Sequence, residues 1–171
     1  EKREMANSIC NLGNALLEKG NINEALKKLF EAIDIYLVIN DQQGLANGNL
    51  YVGKAYYSTR AYKNALEFYI KAIKHAQLVG LKRLEGDIFF EMSKAYFALN
   101  DLSKAYLYQS KYINLRDSLQ LEEHTRLMNE IQIVHEKERK DFEVELIKKK
   151  VETEALSKMQ GDLVKNLLIL L

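Results

Sequence analysis

Asn49-Leu50-Tyr51-Val52-Gly53-Lys54-Ala55-Tyr56 is the stretch on which the fold turns. The same frame stands 40 residues earlier as Ile9-Cys10-Asn11-Leu12-Gly13-Asn14-Ala15-Leu16. It stands 40 residues later as Phe89-Phe90-Glu91-Met92-Ser93-Lys94-Ala95-Tyr96. Outward from it, Ala25, Ala65 and Ala105 keep the spacing, and Glu1, Asp41, Leu81 and Leu121 open equivalent blocks. A period of roughly 20–50 residues marks a stacked repeat array, in which one unit cannot bury its apolar face alone. Such arrays are usually binding scaffolds.

The bulk numbers agree with a globular repeat. The 171 residues are 47% hydrophobic and 29% charged. Lys and Arg number 25 against 24 Asp and Glu, for a net charge of +1. That balance gives no electrostatic reason to expect nucleic acid, which basic proteins attract. Cys10 is the only cysteine, so no internal disulfide forms. With no Pro in the chain, nearly all-helical structure is expected, its turns made by Gly and Asn.

Apolar spacing predicts three helix pairs. Ile9, Leu12, Leu16 and Leu17 form the stripe of a first helix, and Gly20-Asn21 breaks it. Asn23 then caps a second helix with Leu26, Leu29, Phe30, Ile33 and Leu37 on one face. Asp41 to Gly44 ends that helix. The second pair runs from about Gly48 to Tyr57 and, after a turn near Arg60, through Ala65, Tyr69, Ile73 and Ala76 to Gly80. The third has a helix from about Gly86 to Ala98, the turn Asn100-Asp101 with Asp101 as cap, and a helix through Ala105, Tyr108, Tyr112 and Leu115. Gly13, Gly53 and Ser93, with Ala25, Ala65 and Ala105, are small so that paired helices approach closely. Tyr56, Tyr69 and Tyr96 are read as packing residues between pairs.

These positions resemble the tetratricopeptide repeat: a large residue, then Leu-Gly, an aromatic three residues on, and Ala, aromatic, Ala in the second helix. The resemblance covers residues 3 to 117. The family's common period is 34 and its unit often ends in Pro; here the period is 40, as in a longer-helix variant. It implies an α-α superhelix of three helix pairs over residues 1–118.

The fourth block keeps the phase and loses the motif. Glu138, Arg139 and Lys140 stand where turns stood, and Glu145 answers the conserved-spacing alanines. Residues 119–171 are therefore read as one long helix, about 60–75 Å for 40–50 residues, with Gly161-Asp162 as its first break. Leu127, Ile131, Val134, Phe142, Leu146, Leu156, Met159 and Leu163 recur at spacings of 3, 4 and 7, a coiled-coil tendency that predicts a homodimer. Its first part is expected to cap the array. Residues 163–171 are apolar except Lys165 and Asn166 and suggest a membrane span continuing past Leu171.

No catalytic constellation, metal-ligand spacing or phosphate loop occurs, and His75, His124 and His135 are far apart, so no enzyme activity, cofactor or metal is expected. The family resemblance implies a groove lined by the first helices. Carried over, it gives columns Asn7, Asn47 and Asp87; Asn11, Tyr51 and Glu91; Asn14, Lys54 and Lys94; with Cys10, Leu50 and Phe90 and then Leu17, Tyr57 and Phe97 as apolar surface. Asn and Lys suit a peptide backbone or a carboxylate, so the expected partner is a protein or peptide. The family's carboxylate clamp wants Lys at Cys10 and Arg at Glu91, so a chaperone tail is not expected.

The layout resembles the extracytoplasmic repeat region of bacterial membrane-anchored signalling proteins, of histidine kinase or helix-turn-helix regulator type. That resemblance implies a sensory or interaction module outside the inner membrane. The alternative is a cytoplasmic peptide-binding regulator or assembly scaffold.

Overall fold

A computed structural model describes the backbone of residues 1–169 and the side chains of residues 1–161. The described residues form six helices: α1 (Lys2–Glu18), α2 (Ile22–Val38), α3 (Gln42–Ser58), α4 (Tyr62–Leu78), α5 (Lys82–Ala98) and α6 (Leu102–Ile169). The chain divides into two compact units, Glu1–Leu121 and Glu122–Leu171.

The first unit is built on a stricter rhythm than its 40-residue repeat. Its helices start every 20 residues, at positions 2, 22, 42, 62, 82 and 102. The connecting turns are copies of one another. Gly20, Asn40, Arg60, Gly80 and Asn100 all take positive φ, between 54° and 83°. In each, the left-handed residue donates its N–H to the carbonyl three residues back, as Gly20 does to Leu17 at 3.0 Å. The next residue donates to the carbonyl five back, as Asn21 does to Leu16 at 2.9 Å. This is the Schellman arrangement, which satisfies carbonyls that a helix end leaves open.

Several boundaries differ from the sequence reading. Asn21, not Asn23, precedes α2, and its side chain makes no capping bond. Asp41 does not close α2; it caps α3, accepting from the Gly44 N–H at 3.1 Å. Asp101 caps α6 through the Lys104 N–H at 3.1 Å, as expected. Helices α3 and α5 begin about six and four residues earlier than read, at Gln42 and Lys82. Gly44 and Gly48 lie inside α3 because neighbours fill their side-chain space. A Cβ at Gly44 would overlap the Tyr36 ring, and one at Gly48 would sit 2.7 Å from Ile33 Cγ1.

From α1 to α5 each helix packs on its sequence neighbours, α5 meets α6 through Tyr96–Tyr108 and Ser93–Gln109, and α1, α3 and α5 also touch in series. Two apolar cores result. One gathers Ala6, Cys10, Leu29, Ala32, Tyr36 and Val52 from α1–α3. The other gathers Leu50, Ala65, Tyr69, Ile88 and Met92 from α3–α5. Within the second helix pair, and not between pairs as expected, Tyr56 stacks on Phe68 with ring centres 5.4 Å apart. Forty residues on, Tyr96 stacks on Tyr108 at 5.3 Å. Not every apolar stripe residue is covered. Leu12 is 49% exposed and Leu37 58%.

The second helix of the third pair and the long helix are one element, α6, of 68 residues. Gly161-Asp162 does not break it, since a lone glycine inside a helix costs only about 1 kcal/mol against Ala. In the second unit the apolar residues from Leu127 to Met159 that keep coiled-coil spacing are 45–62% exposed. Ion pairs one turn apart, such as Glu145–Lys149 at 3.0 Å, line the same helix. No helix among the described residues is long and apolar enough to cross a membrane. The side chains of the apolar run at 163–171 lie outside the described residues.

Candidate binding groove

The exposed surface of α1, α3 and α5 carries the candidate residues at 40-residue intervals. The structure sorts them by depth. Cys10 and Leu50, each 3% exposed, form the floor, with Cys10 at the base of the polar cavity described next. Burial pushes the Cys10 thiol up to about 11, against a smaller opposing effect of the Tyr36 hydroxyl. Asn7, Asn11 and Asp87 are exposed, and Asn14, Leu17, Asn47, Tyr51, Lys54, Tyr57 and Lys94 are half-buried.

Toward α1 the surface is polar. A cavity of about 280 Å³ lies among Asn7, Asn11, Asn47 and Tyr51, with Arg3 and Asp41 at its edge. Arg3 Nε pairs with Asp41 at 2.7 Å, and Arg3 Nη2 donates to Gln43 Oε1 at 3.3 Å. The Tyr36 hydroxyl donates to Asn7 Oδ1 at 2.7 Å. Asn14 donates to Glu18 at 3.1 Å. Tyr51 ionises above the usual phenol range, first through burial and then through the negative charges of Cys10, Glu18 and Asp87.

At mid-groove Glu91 is buried to 8% exposure. Such a carboxylate needs a partner. Lys94 lies 2.6 Å from it, and Lys54, from the neighbouring helix α3, 3.8 Å. Lys94 also lies over the rings of Tyr57 and Phe90, at 5.3 and 5.1 Å. Below Glu91 the buried Tyr69 hydroxyl finds no hydrogen bond of good geometry among the described residues. Burial, then the Glu91 charge, drives its ionisation far above the phenol range.

Toward α6 the surface turns apolar. Phe90, Lys94 and Phe97 of α5 face Leu102, Tyr106 and Gln109 of α6 across a depression of about 420 Å³. Phe97 is 69% exposed, Leu102 58% and Tyr106 77%. Sequence reasoning passed over Arg3, Asp41, Tyr36, Tyr106 and Gln109. The signal was in the columns: Tyr106 follows Leu26 and Leu66 at 40-residue spacing, with no further helix pair after it. Among the described residues no group of three or more His, Cys, Asp or Glu is placed to hold a metal.

Neither protein-family models nor curated protein sequences match the chain. Solved structures do. The TPR domain of Arabidopsis FLU is similar with a TM-score of 0.62 at 15% identity, over 69% of this chain and 99% of that domain. A C-terminal TPR-containing domain from a Plasmodium falciparum protein described as FK506-binding aligns with a TM-score of 0.40 at 26% identity, over 71% and 87% of the two chains. The fold is thus an all-α, tetratricopeptide-like superhelix continued by a long C-terminal helix.

Proposed function

We propose that this chain is a non-catalytic protein-binding module whose α1–α3–α5 groove takes an extended segment of a partner protein. The carrying observation is the polar end of the groove, where Asn11 and Asn47 flank a cavity of about 280 Å³. An amide side chain offers both a donor and an acceptor, the pattern a peptide backbone requires. Lys54 and Lys94 over Glu91 then favour an acidic side chain further along. Display of random peptides against the 171-residue chain, followed by fluorescence anisotropy, tests this. Asn11→Ala with Asn47→Ala should weaken selected peptides at least tenfold and leave the thermal midpoint unchanged. Equal binding to both proteins overturns it.

In the same reading the module is the sensory or interaction region of a bacterial signalling protein, and α6 passes the binding event on through a two-stranded coiled coil. What supports this is the row of exposed Leu, Ile, Val and Phe on the second unit at spacings of 3 and 4. Ile131→Asp with Val134→Asp should convert a sedimenting dimer to monomer. A membrane anchor and an extracytoplasmic location belong to this proposal, and protease accessibility in intact spheroplasts checks them. The alternative, a cytoplasmic scaffold, predicts protection there.

A further inference from the structure

We propose that the open α5–α6 end of the array seats helix α1 of a second copy of this chain, so that copies add head to tail. The contacts inside the molecule supply the template. At two internal junctions a first helix already lies on the pair before it: α3 on α1–α2 and α5 on α3–α4. There Leu66, the counterpart of Tyr106, is 8% exposed, and Val52 and Met92, the counterparts of Leu12, are 0% and 1%. At the ends these same positions are open: Tyr106 at 77% on one side, and Met5 at 51% and Leu12 at 49% on the other.

Advancing each internal contact by whole repeats tests whether the two ends fit. Gly44 meets Tyr36, and Gly48 meets Ile33. Two repeats on, Glu4 of the second copy meets Arg116, and its Ser8 meets Ile113. Acid falls against base and a small residue against a large one. Arg116 is exposed and otherwise pairs with the adjacent Asp117. Lys54 approaches Glu91 at 3.8 Å. One repeat on, Lys94 approaches Asn11 of the second copy, whose amide oxygen can accept from it. The Glu4–Arg116 and Ser8–Ile113 contacts are compatible in charge and in size, whereas the Arg3–Gln43 contact transfers to Arg83 against Arg3 of the second copy, a like-charged pair. The junction is heterologous, and nothing in it closes a ring, so it builds open chains of copies. The coiled coil proposed for α6 stops at two.

Sedimentation velocity of the 171-residue chain over a concentration series reads this out. Wild type should grow with concentration beyond the species that α6 alone allows. Leu12→Lys and Tyr106→Glu, both at exposed positions, should each weaken that growth at least tenfold with circular dichroism unchanged. Mixing the two variants should restore association, because one keeps a working tail and the other a working head. Glu4→Arg and Arg116→Glu should each reduce growth, and together recover it. Growth unaffected by Leu12→Lys and Tyr106→Glu, or a mixture that stays unassociated, overturns the proposal and leaves this end to a helix of a different protein. Peptide binding through Asn11 and Asn47 is scored separately with Tyr106→Glu, which leaves those amides in place.

Discussion

Ser93 Oγ donates to Gln109 Oε1 at 3.0 Å, in the place where Gly53 meets Tyr69 and Gly13 meets Leu29. One contact between first and second helix is thus made in two ways over three repeats: twice by an absent side chain under a large one, and once by a hydrogen bond. A Cβ at Gly13 would stand 2.8 Å from Leu29 Cγ, and one at Gly53 would overlap the Tyr69 ring. Overpacking of that kind costs about 1–3 kcal/mol. Gly53→Ala should therefore lower the urea midpoint clearly. Gly86→Ala is the control, because its nearest neighbour, Tyr112 Cδ2, is 3.8 Å away. It should be neutral, or stabilising by up to about 1 kcal/mol through helix propensity.

Arg60 holds φ at 62° in the turn position that Gly20 and Gly80 fill elsewhere. A left-handed residue with a Cβ costs roughly 1–2 kcal/mol, part of which Gly returns as unfolded-state entropy. Arg60→Gly should raise the thermal midpoint, and Gly80→Ala should lower it, each by about 1 kcal/mol in chemical denaturation.

His75 hydrogen-bonds through Nδ1 to Gln42 Oε1 at 2.7 Å, tying α4 to the start of α3. Burial, then the charge of Lys74, lowers its proton affinity below the usual value of 6.5. The unfolded chain therefore binds the proton more readily than the folded one. Stability from this group is complete above the unfolded value and falls as pH drops through 6.5 toward the lower folded value. Denaturation at pH 7.5 and 5.5 should show a loss that His75→Gln removes.

Cys10 is 3% exposed, and its thiol is pushed up to about 11. The thiolate is the reactive form. A maleimide or disulfide reagent at pH 7.5 should label it only as fast as α1 opens, and instantly in urea. Rapid labelling of the folded chain would contradict the packing of α1 on α2.

What the sequence made legible was whatever depends on one residue meeting its own repeat. Gly53, Ala65 and Tyr69 carry a steric demand that recurs, so the pairs and their register could be read directly. Gly44 defeated that reading because a glycine that clears a neighbour's ring looks, in one dimension, like a helix stop. Gly161 failed the same way, since nothing in sequence separates a tolerated glycine from a break. Cys10 and Leu50 share a face with Asn11 and Tyr51, and only depth tells floor from lining. Leu12 reads as core because its counterparts Val52 and Met92 are core, yet it is 49% exposed.

Among α1 to α5, no helix touches another more than two places away in sequence. Contacts so local demand little loop closure, which favours fast folding from any pair outward. They also mean that no single nucleus holds the whole. Amide exchange should therefore show a slope of protection, highest at α3 and α4 and falling toward α1, rather than one cooperative level. Such a chain melts like a row of dominoes lifted from the end, and a ligand or neighbour that grips the end helix would stiffen everything behind it.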